Sequence, residues 1–141
     1  MEVTKEMARA MAAWWGERVG GRTHHDNGDH KNMASVFAGI LADTMNEPAD
    51  ESKINKFVDI LTEKILKQAE ENPFSLRHHL GCDYAPSKFL SDAAKEAGIS
   101  SNNFPWKTSM GIREINDGET IVEVYAGYGA GWKQIWPVID T

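Results

Sequence analysis

The densest cluster of potential metal ligands is one short stretch that contains His24, His25, Asp26, Asp29 and His30. Imidazole and carboxylate groups are the ligands that zinc and other divalent ions take in proteins. However, adjacent histidines on a loop point in different directions, and the closing glutamate of a calcium loop is missing. The same residues are typical of a tight turn followed by a helix N-cap. The sequence favours a structural turn, with a metal site as the weaker alternative.

A second cluster contains His78, His79, Cys82 and Asp83. Beside the first cluster it would complete a metal shell, and a cysteine activated by a histidine could act as a nucleophile. No third orienting group accompanies the pair, and a lone cysteine at a strand end is typically a small core residue. Because no nucleophile–base pair or metal pattern is complete, we expect a protein that is not an enzyme and needs no cofactor.

The glycine-rich stretch 127–131 lacks the context of a phosphate-binding loop, because no strand–helix unit surrounds it. Its glycines are more typical of a sharp backbone turn after a hairpin. We expect this turn to fold Tyr128, Trp132 and Trp136 back onto the core.

Composition narrows the class of partner. The net charge is -6, from 15 basic and 21 acidic side chains, and no run of five basic residues exists. Duplex nucleic acid is therefore not expected to bind directly, since phosphate binding needs clustered Lys and Arg. The acidic surface suits solubility or a positively charged protein partner. A single cysteine indicates a reducing compartment, and no apolar run is long enough to span a membrane, so we expect a cytoplasmic protein.

Apolar residues at helical spacing predict three helices in the first half, about residues 1–72. Each is bounded by a capping or helix-breaking residue. The expected bounds are Thr4 to Gly20, about Asn32 to Met45, and Asp50 or Ser52 to Asn72.

The second half, about residues 73–141, mixes helix and strand. We expect a short strand ending at Cys82, and a fourth helix that begins at Pro86 and ends at Gly98. Alternating apolar residues on both sides of Asn116-Asp117-Gly118 predict an antiparallel hairpin, followed by a short C-terminal segment. The sequence thus predicts a single α+β domain over residues 1–141.

Several segments together resemble a family of small proteins, without an assigned activity, from phages, prophages and other mobile elements of gut Firmicutes. The resemblance spans nearly the whole chain. The segments that carry it are Trp14-Trp15, Asp26-Asn27-Gly28-Asp29, Cys82-Asp83-Tyr84-Ala85-Pro86, Leu90 to Ile99, Phe104-Pro105-Trp106-Lys107-Thr108-Ser109-Met110 and Gly127-Tyr128-Gly129-Ala130. Ser87-Lys88 stands where the family pattern has a cysteine, so a paired-thiol role does not carry over.

The resemblance implies an accessory protein of a mobile element, a class in which many members block host defence. We therefore expect a binding protein that could inhibit a host CRISPR-type nuclease by occupying a basic nucleic-acid channel. The candidate partner-binding residues are Asp26, Asp29, Asp83, Tyr84, Trp106, Lys107, Tyr128 and Trp132.

Two alternatives remain open. One is a small-molecule or nucleotide-sequestering protein with a pocket lined by Tyr84, Trp106, Lys107 and Tyr128, between the helices and the hairpin. The other is a metal-dependent enzyme. Its ligands would be His24, His25, Asp29 and either His78 or His79.

Overall fold

The computed structural model describes residues 2–20, 49–115, 118–127 and 131–138. These residues form the predicted α+β fold, with α-helices, 3₁₀ turns and one antiparallel sheet. In chain order the elements are α1 (Lys5–Val19), α2 (Glu51–Glu71), a 3₁₀ turn (Pro73–Ser75), α3 (Leu76–His79), β1 (Gly81–Cys82), α4 (Lys88–Ala97), a second 3₁₀ turn (Ser101–Asn103), β2 (Thr108–Glu114), β3 (Thr120–Ala126) and β4 (Trp132–Trp136). The helix predicted over 32–45 lies outside the described residues.

Local capping chemistry sets the ends of the long helices, as predicted. The Thr4 hydroxyl accepts a hydrogen bond from the Met7 N–H at the start of α1. The Asp50 carboxylate accepts from the Lys53 N–H at the start of α2, and this bond lowers the pKa of Asp50. Gly98 ends α4 with φ of 79°, a left-handed conformation that glycine adopts without steric cost.

The helices α1 and α2 pack against each other as an antiparallel pair. An ion pair joins Arg9 and Asp59 at 2.9 Å, and the Ala49 N–H donates to the Gly20 carbonyl at 3.3 Å. The two helices pack so closely that a Cβ atom on Gly16 would lie 2.6 Å from the Val58 Cγ2 methyl group. Glycine is therefore required at this crossing.

The sheet has the strand order β1-β2-β3-β4, and every neighbouring pair is antiparallel. The predicted hairpin is confirmed, because β2 pairs with β3 from Thr108↔Ala126 to Glu114↔Thr120. The segment after the hairpin is itself a strand, β4, which pairs with β3 through a register shift between Val122 and Glu123. A bulge of this kind bends the edge strand and increases its local twist.

Two boundaries differ from the prediction. The strand predicted to end at Cys82 does end there, but it is confined to Gly81–Cys82, and the residues before it form the helical turn α3, closed by the Leu80 N–H to the Leu76 carbonyl. A short apolar run does not distinguish helix from strand by periodicity, which explains why this turn was not predicted. Pro86 also lies outside α4: Ser87 is the N-cap, whose hydroxyl accepts from the Leu90 N–H, and Pro86 forms a bridge with Cys82.

A hydrophobic core lies between the helices and one face of the sheet. Its largest members are fully buried rings, with Phe104 contacting Trp15 at 5.8 Å and Phe57 at 6.0 Å between centroids. Trp14, adjacent to Trp15, is only half-buried and lies under the Arg18 guanidinium at 3.8 Å. Within the described residues, no helix combines the length and the apolar character needed to cross a membrane.

Candidate functional site

Three connections that the sequence analysis singled out meet at the backbone of Lys107. The Lys107 N–H donates to the Asp83 carbonyl at 2.8 Å, which joins the segment before β2 to the segment after β1. The Gly127 N–H donates to the Lys107 carbonyl at 3.0 Å, which adds the end of β3. Segments distant in sequence therefore present their side chains on one surface.

The side chains at this meeting point form a compact group. The Lys107 ammonium pairs with the Asp83 carboxylate and lies 4.6 Å from the centroid of the Tyr84 ring. The Trp106 ring packs edge-on against Tyr84, with centroids 5.3 Å apart and planes at 79°. We call Asp83, Tyr84, Trp106 and Lys107 the aromatic corner. All four are predicted binding residues, and the fold brings them together.

The aromatic corner is open to solvent, and the ion pair between Lys107 and Asp83 stabilises it. The exposed fraction is 57% for Tyr84, and 68% and 33% for the side chains of Asp83 and Lys107. Hydrogen bonding to Asp83 raises the pKa of Lys107 above its ordinary value, and this carboxylate and Tyr84 favour the ammonium further. Lys107 is therefore a cation throughout the physiological pH range.

The backbone of Lys107 has φ of 55°, the one non-glycine residue with positive φ in the described part of the chain. A residue with a Cβ atom is disfavoured in this left-handed region and persists there when surrounding contacts hold it. The two backbone hydrogen bonds of Lys107 provide such contacts. The corner thus combines a disfavoured backbone conformation with a partly exposed, charged side chain.

Trp132, another predicted binding residue, lies on the outer face of the sheet, away from the helices. The prediction that it folds onto the core is wrong: its exposed fraction is 58%. Trp132 pairs with Tyr125 across β3 and β4, with ring centroids 5.9 Å apart. Because inward-facing Val124 alternates with Tyr125, both rings must face outward. Trp136, in contrast, packs against the core as predicted.

Tyr125 was missed by sequence reasoning, although the alternation of β3 contains the signal. Since Val122 and Val124 point toward the core, their neighbour Tyr125 has to point to the opposite face. There it lines an open groove of about 450 Å³ that also includes His78, Cys82, Asp83 and Lys107. The outer face and the aromatic corner are therefore continuous.

Cys82 does not supply a nucleophile. It is 4% exposed, and burial, together with the nearby Asp83 charge, raises the pKa of its thiol to about 12. His79 stacks on Phe89 at 5.1 Å between centroids, and its carbonyl accepts from the Ser87 hydroxyl. Among the described residues, no group of three or more His, Cys, Asp or Glu side chains could hold a metal ion.

The remaining predicted site residues lie outside the described part of the chain. They are His24, His25, Asp26, Asp29, His30 and Tyr128. Their roles stay predictions.

Comparison with known proteins gives no further assignment. No protein-family model matches the chain, and neither does any curated protein or solved structure. Function has to be inferred from the residues themselves.

Proposed function

We propose that this domain is a non-enzymatic binding protein that recognises a protein partner through the aromatic corner. The observation that carries the proposal is Tyr84, an aromatic side chain that is 57% exposed and yet packed against Trp106 and Lys107. Rigid exposed aromatics of this kind dominate the binding energy of protein interfaces, because they bury a large area with little loss of conformational entropy.

The chemistry of the surrounding residues supports binding over catalysis. The thiol of Cys82 stays protonated at neutral pH, since its pKa is about 12. The Asp83 carboxylate forms an ion pair with Lys107, and Lys107 stays positively charged. A surface of fixed charges and aromatic rings suits recognition.

We further propose that the partner is a host defence nuclease of the CRISPR type. Support comes from the resemblance to proteins of mobile elements and from the net charge of -6. An acidic protein can occupy the basic channel of such a nuclease, and complementary potentials accelerate the association.

The test is purification of the nuclease from host cells with tagged wild-type protein, followed by a DNA-cleavage assay with purified components. We expect stoichiometric capture and inhibition of cleavage. The Tyr84→Ala variant should weaken the complex at least about 30-fold, the effect of truncating a hot-spot aromatic.

Phe74→Ala is the matched control, because Phe74 is a comparably exposed aromatic (51%) located in the 3₁₀ turn after α2. It should leave the affinity unchanged. Absence of a stoichiometric partner together with undiminished cleavage would overturn the proposal. Equal losses for both variants would overturn the assignment of the binding surface to the aromatic corner.

A second candidate is sequestration of a small molecule or nucleotide in the groove beside Lys107, which Tyr84 and Trp106, predicted as lining residues, do not line. Its volume of about 450 Å³ falls within the range of ligand sites. A thermal-shift screen with nucleotides tests this function, because a ligand of the native state raises the melting temperature. No stabilisation at millimolar nucleotide would exclude it.

A further inference from the structure

The aromatic corner already holds a cation, and that cation belongs to the chain itself. The Lys107 ammonium contacts the carboxylate of Asp83 and lies over the Tyr84 ring at 4.6 Å. A carboxylate and an aromatic face converging on one positive group is the combination with which proteins bind cationic ligand groups.

We infer that the aromatic corner is a recognition site for an arginine side chain of the protein partner. In the free protein Lys107 fills this site, and the partner's arginine displaces the Lys107 ammonium from Asp83 and Tyr84. This inference rests on the proposed function, because it assigns a chemistry to the partner bound by the same surface.

The two groups that would receive the arginine are accessible. The side chain of Asp83 is 68% exposed and Tyr84 is 57% exposed, so a partner can reach both without a change of fold. The net charge of -6 favours a basic partner segment over an acidic one.

Arginine fits the site better than the resident lysine. Its planar guanidinium can form two hydrogen bonds with a carboxylate while its face stacks on a ring, and it is more weakly hydrated than an ammonium. The Lys107 ammonium offers a compact, strongly hydrated point charge. Displacement therefore exchanges a weaker contact for a stronger one.

Among the described residues, two other cation–ring pairs each include a backbone carbonyl. Arg18 lies over Trp14 within one helix and also donates to the Trp14 carbonyl at 3.2 Å. The Lys64 ammonium, 4.5 Å from the Phe89 ring, donates to the Phe89 carbonyl at 2.7 Å. In both pairs a backbone carbonyl retains the cation beside its ring, and Arg18 also pairs with the Glu17 carboxylate at 3.2 Å. At the aromatic corner the Asp83 carboxylate, whose side chain is 68% exposed, pairs with the cation.

The experiment is a titration of the full chain with a capped tri-arginine peptide at low ionic strength, followed by NMR of backbone amides. A tri-citrulline peptide of the same length is the neutral control. We expect the arginine peptide to shift the amides of Asp83, Tyr84 and Lys107, and the citrulline peptide to leave them unchanged.

Paired variants separate the corner from general charge attraction. Lys107→Met removes the resident cation and should tighten tri-arginine binding about two- to fivefold, while Asp83→Asn should weaken it by at least that factor. Lys88→Met and Asp92→Asn make the same charge changes in an exposed ion pair on α4. These two should change the affinity by much less.

Each outcome bears on one idea. The inference would be overturned if Lys107→Met bound tri-arginine more weakly than the wild type does, or if Lys88→Met gained as much affinity as Lys107→Met. It would also be overturned if the citrulline peptide bound as tightly as the arginine peptide. Capture of the nuclease without competition by tri-arginine would also overturn it while the proposed function stands. Tri-arginine binding at the corner without any captured partner would support the inference and count against the proposed function.

Discussion

The α1–α2 interface and the aromatic corner represent two ways of bringing distant residues together. At the helix interface Gly16 and Val58 meet through shape alone, with no room for a further carbon atom. At the corner Asp83 and Lys107 meet through hydrogen bonds and charge, and the surface stays open to solvent. The comparison indicates that the close packing at the helix interface supplies stability, whereas the corner leaves charged and aromatic side chains accessible for the recognition that we propose.

The largest expected effect concerns Cys82, a buried residue next to Asp83 that lines the same groove as Lys107. With a thiol pKa of about 12 and 4% exposure, native protein should react with iodoacetamide at pH 8.5 at least about 100-fold more slowly than urea-unfolded chain. Mass spectrometry of the alkylated protein measures both rates. Comparable alkylation rates for native and unfolded protein would show that Cys82 is readily exposed in the native state. The structure around the corner would then be far less stable than the helix interface.

The same thiol gives stability a pH dependence with a defined sign. The folded protein holds this proton more tightly than the unfolded chain does, because its pKa is raised from 9.0 to about 12. Its contribution to stability is therefore full below pH 9 and declines as the pH rises toward 12. Cys82→Ala should flatten this part of the stability profile, measured by urea unfolding at several pH values.

A further prediction disrupts the helix interface directly. Gly16→Leu forces a side chain against Val58, and overpacking of this kind costs about 1–3 kcal/mol of unfolding free energy. Urea denaturation measures the loss. Gly118→Ala, at an exposed turn with open space around it, tests whether any added carbon is harmful, although its φ of 76° also adds strain. A loss for Gly16→Leu no larger than that for Gly118→Ala would contradict the role of the close crossing.

A smaller effect distinguishes backbone conformation from side-chain contacts at the corner. Lys107→Ala and Lys107→Gly both remove the ammonium, but only alanine retains a Cβ atom in the left-handed region. We expect the glycine variant to melt roughly 3–6 °C higher, the reverse of the usual order for these residues. Differential scanning calorimetry gives both melting temperatures. A more stable alanine variant would show that Lys107 is not strained.

The sequence predicted those parts of the fold that are determined by contacts between residues close together in the chain. The caps at Thr4 and Asp50 follow from residue type and neighbouring spacing, and both are confirmed. The hairpin also follows from alternation and a turn signal. By contrast, β4 depends on pairing with β3 through an irregular register, which the segment's own residues do not indicate.

The candidate site shows the same limit. Tyr84, Trp106 and Lys107 were predicted as binding residues from their types, but their meeting depends on two backbone hydrogen bonds between distant segments. The exposure of Trp132 depends on which sheet face the helices cover. The alternation of a strand defines two faces and does not say which one becomes the core.

The hydrogen bond from Ala49 to Gly20 has a consequence for the length of the chain between these two residues. It joins the positions on either side of residues 21–48, so the chain between them starts and finishes at one point of the scaffold. The entropy of closing a loop rises only slowly with its length. A change in the number of residues between these two positions would therefore add little to the entropy of closing the chain at the paired helices.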